Sequence, residues 1–279
     1  MKTPSFGSDA KSGSGDLMRP VLVIFGYLAL ATSGFSATIA YELNYNTTIY
    51  RVNAANNNEL FYGNAPFQSD SLAISSSLTL YSADSGGILW NITGAPIPVG
   101  PTGFTQIADL DWANNGLWGF SNSGNSLFFY DLGLSAVTYS ATITGLGGAT
   151  VTGVAHDASS GDIYLSANTG LNADQLLRIP FSATNALAIG AMPISDAFSY
   201  ISDIDFDGAT GNLYAMSFFH RDFYTVNLSN GATTFVSTGP HRDTTAMALN
   251  PIPEPTAATL LGLSALLFSW RRVRSSVCR

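Results

Sequence analysis

The feature that most constrains the fold of this chain is an internal repeat. One copy runs from Ile201 through Asp203, Asp205 and Gly211 to Ala215, and continues with Phe223–Leu228 and Thr233–Ser237. An earlier copy runs from Val151 through Asp157 and Gly161 to Leu165, then Leu176–Ile179. A third covers Ile107–Gly119, Leu127–Leu132 and Thr138–Ala141, and a fainter one starts near Ser71, with Leu78–Tyr81 and Ile88–Ile92. Each copy has the same grammar. An apolar strand meets a Gly-bearing turn (Asn115-Gly116, Ser160-Gly161 or Thr210-Gly211). A strand pairing Leu or Ile with an aromatic follows, then an alternating strand and a weaker fourth. Gly supplies the positive φ of tight hairpins, and Asp157 or Asp207 can close the turn with an Asx hydrogen bond.

Aligning Ala73, Leu110, Val154, Ile204 and Met247 gives spacings of 37, 44, 50 and 43 residues. Four antiparallel strands every 40–50 residues is the period of a propeller blade. Thr244–Leu249 matches a first strand with nothing after it. The N-terminal piece, Thr38–Tyr41, Ile49–Asn53 and Leu60–Tyr62, matches the later strands without a first. Joined, they complete one blade and remove two sheet edges. The sequence therefore predicts an all-β body that resembles a five-bladed β-propeller with first/last blade closure. A β-sandwich pair is the alternative.

The chain has 279 residues and divides into three parts. Residues 1–36 read as an N-terminal extension and a signal peptide, 37–250 as the propeller, and 251–279 as a C-terminal sorting segment. Arg19 precedes the apolar run Val21–Ala31, and the small residues Gly34 and Ser36 stand at −3 and −1 of a cleavage after Ser36. The run is too short for an ordinary membrane span and suits a secretory signal. Met18 is a candidate start, because the seventeen residues before it are polar and unusual ahead of a signal.

At the other end, Pro253-Glu254-Pro255 precedes fifteen uncharged residues, Thr256–Trp270, and then Arg271, Arg272, Arg274 and Arg279. A helix of fifteen residues spans about 22 Å. That is a short transmembrane helix, held by arginines that can snorkel, with its positive end in the cytoplasm. The prolines fix an extended approach that a processing enzyme can grip. This order of parts, covering about a tenth of the chain, resembles the PEP-CTERM sorting signal. The resemblance implies a Gram-negative, exopolysaccharide-making bacterium, and tail removal near Pro253, Glu254 and Pro255 by an exosortase. The product then goes to the cell surface or extracellular matrix.

Charge narrows the partners of the body. Residues 38–250 hold sixteen acids and four bases, Arg51, Arg178, Arg221 and Arg242, and no Lys. A net charge of −12 argues against nucleic acid and against docking on anionic lipid. It suits solubility, cations or a neutral glycan. The only cysteine, Cys278, lies in the tail, so the body has no disulfide, zinc–thiolate site or thiol nucleophile.

Few residues suggest chemistry. Asp109 with Asp111, and Asp203 with Asp205, form two Asp-X-Asp pairs at equivalent repeat positions. Residues two apart on a strand share a face. Each pair could offer hard oxygens to calcium or to sugar hydroxyls, or simply accept backbone amides beside a channel. Two His-Arg-Asp triplets, 220–222 and 241–243, could bring His220, His241, Asp222 and Asp243 to one rim, or form local ion pairs. The only Glu residues of the body, Glu42 and Glu59, fall outside channel-like positions, which weakens a two-carboxylate glycosidase reading. No Gly-X-Ser-X-Gly elbow occurs. The expectation is a non-enzymatic binding or structural propeller without a cofactor, associated with glycan or exopolysaccharide. A secreted polysaccharide hydrolase or lyase is the alternative.

Overall fold

The computed structural model describes residues 38–250 apart from 57, 171–173, 196–198 and 240–242. The expected signal peptide with Gly34 and Ser36, and the tail with Pro253, Glu254, Pro255, the transmembrane helix, Arg271, Arg272 and Arg274, lie outside the described residues, as does His241. Among the described residues no helix is long and apolar enough to cross a membrane.

In the described residues twenty strands form five four-stranded antiparallel sheets. Blade 1 contains β4 (Ala73–Ile74), β5 (Leu80–Ala83), β6 (Ile88–Asn91) and β7 (Ile97–Pro101). Blade 2 contains β8 (Ile107–Ala113), β9 (Gly116–Ser121), β10 (Ser126–Asp131) and β11 (Ala136–Thr142). Blade 3 contains β12 (Thr150–His156), β13 (Ile163–Asn168), β14 (Asp174–Ile179) and β15 (Leu187–Ala191). Blade 4 contains β16 (Ile201–Phe206), β17 (Leu213–Ser217), β18 (Asp222–Val226) and β19 (Thr233–Thr238). The closing blade joins β20 (Thr244–Leu249) to β1 (Ile39–Asn44), β2 (Thr48–Asn53) and β3 (Asn58–Asn64), in the order β20-β1-β2-β3.

This is the expected five-bladed propeller with its closure, and the sandwich alternative is not adopted. Innermost strands touch in the ring β4, β8, β12, β16, β20 and back to β4. The aligned residues Ala73, Leu110, Val154, Ile204 and Met247 all sit on these inner strands. Closure is specific in register, with Ala40 opposite Leu249 and Glu42 opposite Met247.

Burial explains the residue types. β1 and β20 are buried at every position, whereas the outer strands β3 and β11 are mostly exposed. Each of the five hydrophobic clusters is an interface between neighbouring blades. Phe120 and Leu127 of blade 2 pack on Val151 and Leu165 of blade 3, and Met216 and Phe223 of blade 4 on Val52 and Leu249 of the closing blade. The core is therefore divided radially, and each blade needs its neighbours to bury its faces.

Turn chemistry follows the sequence in two blades and departs from it in one. Gly161 and Gly211 have φ of 78° and 71°, and the Asp157 and Asp207 carboxylates accept from the amides of Ser159 and Ala209. In blade 2, however, Asn114 and Asn115 carry the positive φ values, and Gly116 already begins β9. Gly116 is needed for space instead: a Cβ there would lie 2.3 Å from the Phe129 ring and 2.6 Å from the Tyr130 carbonyl oxygen.

Candidate functional site

The four aspartates of the Asp-X-Asp pairs line the axis of the ring on β8 and β16, and all are buried. The Val154 amide donates to Asp109 Oδ2 at 2.8 Å, and the His156 amide to Asp111 Oδ2 at 2.5 Å. The Met247 amide donates to Asp203 Oδ2 at 2.5 Å, and the Leu249 amide to Asp205 Oδ2 at 2.6 Å. Each pair thus grips the inner strand of the next blade, β12 in one case and the closing strand β20 in the other. Asp109 also receives the Leu72 amide from blade 1, at 3.4 Å. Blade 3 has no such pair. Gly153 stands there, where a Cβ would lie 2.8 Å from Asp203 Oδ1 and 2.6 Å from the Ile204 nitrogen. Its missing side chain lets β12 and β16 approach.

The two pairs also meet each other. Asp109 bonds to Asp203, and Asp111 to Asp205. Two carboxyls can share such a bond only if one keeps a proton. Burial raises all four, Asp111 to about 7, and the neighbouring Asp203 charge adds to the rise at Asp109. The oxygens are taken up by amides and by one another. Among the described residues no group of three or more His, Cys, Asp or Glu is arranged to hold a metal ion.

The channel opens at both ends. One mouth, about 510 Å³, is lined by Asp111, Trp112, His156, Asp157, Asp205 and Asp207. The other, about 220 Å³, lies on the side of the long connections between blades and is lined by Asp70, Asn122, Thr152, Tyr200, Ser202 and Phe218. Tyr200 stacks on Phe218 with ring centroids 5.0 Å apart and planes at 13°. The Asn122 side chain is occupied by both backbone groups of Val151, and Ser202 donates to the Met216 carbonyl. The Asp70 carboxylate and Tyr200 hydroxyl have no hydrogen-bond partner among the described residues. Burial first, then the Asp70, Asp174 and Asp243 charges, push Tyr200 up to about 12. Tyr200 is therefore a donor at neutral pH and not a base. This mouth can bind hydroxyls.

In the His220-Arg221-Asp222 triplet, Arg221 reaches out of its own blade to two glutamates. Arg221 is fully buried, and its Nη1 lies 2.8 Å from Glu59 Oε2. Its Nε lies 2.9 Å from Glu42 Oε2, a charge contact off the line of the N–H bond. Glu42 belongs to β1 and Glu59 to β3, so a blade 4 residue clasps the closing blade. Burial drives Glu42 up to about 8, with Arg221 opposing and Glu59 adding to the rise. Glu42 therefore holds its proton more tightly than a solvent-exposed glutamate does. Asp222 is engaged separately by Tyr224 and Thr238. The sequence carried one signal for this clasp: both Glu residues of the body fall in the N-terminal closing segment, and one of its four Arg residues falls in the blade beside it.

No family model matches the chain, and no curated protein matches it. One similar solved structure is a chain from "Crystal structure of Nidogen/Laminin Complex", at 10% identity, covering 77% of this chain and 86% of that one, with a TM-score of 0.48.

Proposed function

We propose that this chain is an exported, exosortase-sorted protein of the cell surface or extracellular matrix, whose propeller binds exopolysaccharide without cleaving it. The observation that carries the non-enzymatic part is where the acids go. Asp109, Asp111, Asp203 and Asp205 hold blades together through strand amides, and Glu42 and Glu59 hold Arg221. Glycoside cleavage needs two carboxyls facing a substrate across a cleft; these six are engaged by amides, each other or a guanidinium, and Asp157 and Asp207 at the mouth accept from the amides and hydroxyls of their own turns. Export rests on Arg19, Val21–Ala31, Gly34 and Ser36; sorting rests on Pro253-Glu254-Pro255, the apolar segment and Arg271, Arg272 and Arg274.

Mass spectrometry of the secreted protein tests sorting: the expected form begins after Ser36 and ends near Pro253–Pro255. An intact 279-residue product kept in the cytosol would overturn it. Pelleting with the exopolysaccharide of the producing cells tests binding. Release of products from a polysaccharide panel, abolished by Asp109→Ala or Asp203→Ala, would overturn the non-enzymatic reading in favour of a hydrolase or lyase.

A further inference from the structure

We propose that the cleft between blades 2 and 3, which adjoins one channel mouth and shares Asn114 and His156 with it, binds one neutral hexopyranose ring; the inference rests on the glycan-binding reading above. The cleft is about 400 Å³, within the size range of small-molecule sites. Its floor is the inter-blade core at Leu127, Ile163 and Ile179. Its walls are Trp118, Tyr139, His156 and Phe181. Trp118 lies 5.6 Å from Tyr139, edge to face, and 6.4 Å from His156 with planes at 29°.

Two properties narrow the ligand. The first is aromatic surface left open to solvent: Phe181 is 73% exposed and Tyr139 38%. Phe181 is nonetheless fixed at its backbone. Its amide donates to Asp162 Oδ1 at 2.8 Å, Asp162 pairs with Arg178, and the ring lies over Gly161, where a Cβ would approach to 3.0 Å. A pre-positioned ring loses little freedom on binding. The second is free polarity at the lip. The His156 imidazole, Asn114 carboxamide and Ser182 hydroxyl line the cleft without a hydrogen-bond partner among the described residues. Burial lowers His156, so the neutral ring both donates and accepts.

A pyranose meets both demands, with an apolar C–H face for the rings and hydroxyls for the three polar groups. An aromatic peptide side chain would cover the same rings and strand those groups, which is costly. A cation finds no carboxylate in the lining. An acidic sugar would meet Asp157 beside His156 and a body of net charge −12.

Saturation-transfer NMR on the purified full-length protein decides it, with methyl α-D-glucopyranoside, methyl β-D-galactopyranoside and methyl α-D-mannopyranoside as probes. Sodium glucuronate and N-acetyltryptophanamide serve as competitors, and Phe181→Ala and His156→Gln as variants. The expected result is saturation of ring C–H protons by at least one neutral pyranoside, affinity at least tenfold weaker in both variants, and unchanged melting temperatures. Undiminished pyranoside binding in both variants places the sugar elsewhere and overturns the cleft while sparing the glycan reading. Exopolysaccharide pelleting without any pyranoside signal does the same. Preference for glucuronate or N-acetyltryptophanamide overturns the neutral-sugar assignment. Absence of both pyranoside and polysaccharide binding overturns both readings.

Discussion

Replacing Arg221 by Met tests whether the buried clasp, rather than strand pairing alone, holds the ring shut. Removing one partner of a buried ion pair costs about 3–5 kcal/mol. The lower end applies here for two reasons. Glu59 is 21% exposed and can turn to water, and Glu42 can keep its proton when the guanidinium is gone. The expected loss is about 3 kcal/mol, which for a body of this size lowers the melting temperature by about 6–12 °C. The penalty should also depend on pH. In the native protein Arg221 restrains the rise of Glu42, whose value is about 8. Without Arg221 the Glu42 value climbs further, so the variant goes on losing stability at pH values where the native protein has levelled off. Thermal melts followed by circular dichroism at pH 6 and pH 9 should give a larger gap at pH 9. A melting temperature within 2 °C of the native protein, or a gap equal at both pH values, would refute the clasp.

Three further outcomes follow from the same geometry. Stability should fall as pH rises from about 4 to 8, seen as a higher urea midpoint at pH 5 than at pH 8. Asp109, Asp111, Asp203, Asp205 and Glu42 all bind their protons more tightly folded than unfolded, Asp111 up to about 7 and Glu42 up to about 8, while the lowered His156 opposes only weakly below its usual 6.5. Glu42→Gln or Asp111→Asn should flatten that slope, and a slope of the opposite sign would contradict the buried protons. Asp203→Asn turns an amide donor toward the Met247 or Ile204 N–H and should cost about 1–3 kcal/mol; hydrogen exchange should speed at the Met247 amide, and unchanged protection would argue against the staple. Tyr130→Phe removes a buried hydroxyl that has no hydrogen-bond partner in the described structure, so stability should hold or rise by up to about 1 kcal/mol; a loss above about 1 kcal/mol in chemical denaturation would show that the hydroxyl matters.

The sequence by itself determined the blade count, the strand order and the split closing blade. These are written in local alternation and turn residues, repeated at a period that a linear reading can detect. It also placed the paired aspartates on equivalent strands, because each pair precedes the Gly-bearing turn of its own repeat. Only the tertiary structure decided what those groups face. Asp109 and Asp203 are 94 positions apart in the sequence, and whether they meet a cation, an amide or one another depends on how the ring radius brings β8 and β16 together. Gly116 shows the same limit at short range: its neighbours suggested a turn, but the Phe129 ring from the adjacent strand is what excludes a side chain. Arg221 reaches Glu59 across 162 residues, so no local pattern could pair them. Periodicity records which way a residue points along its own strand, while electrostatic partnership is fixed by closure of the ring, a property of all five blades at once.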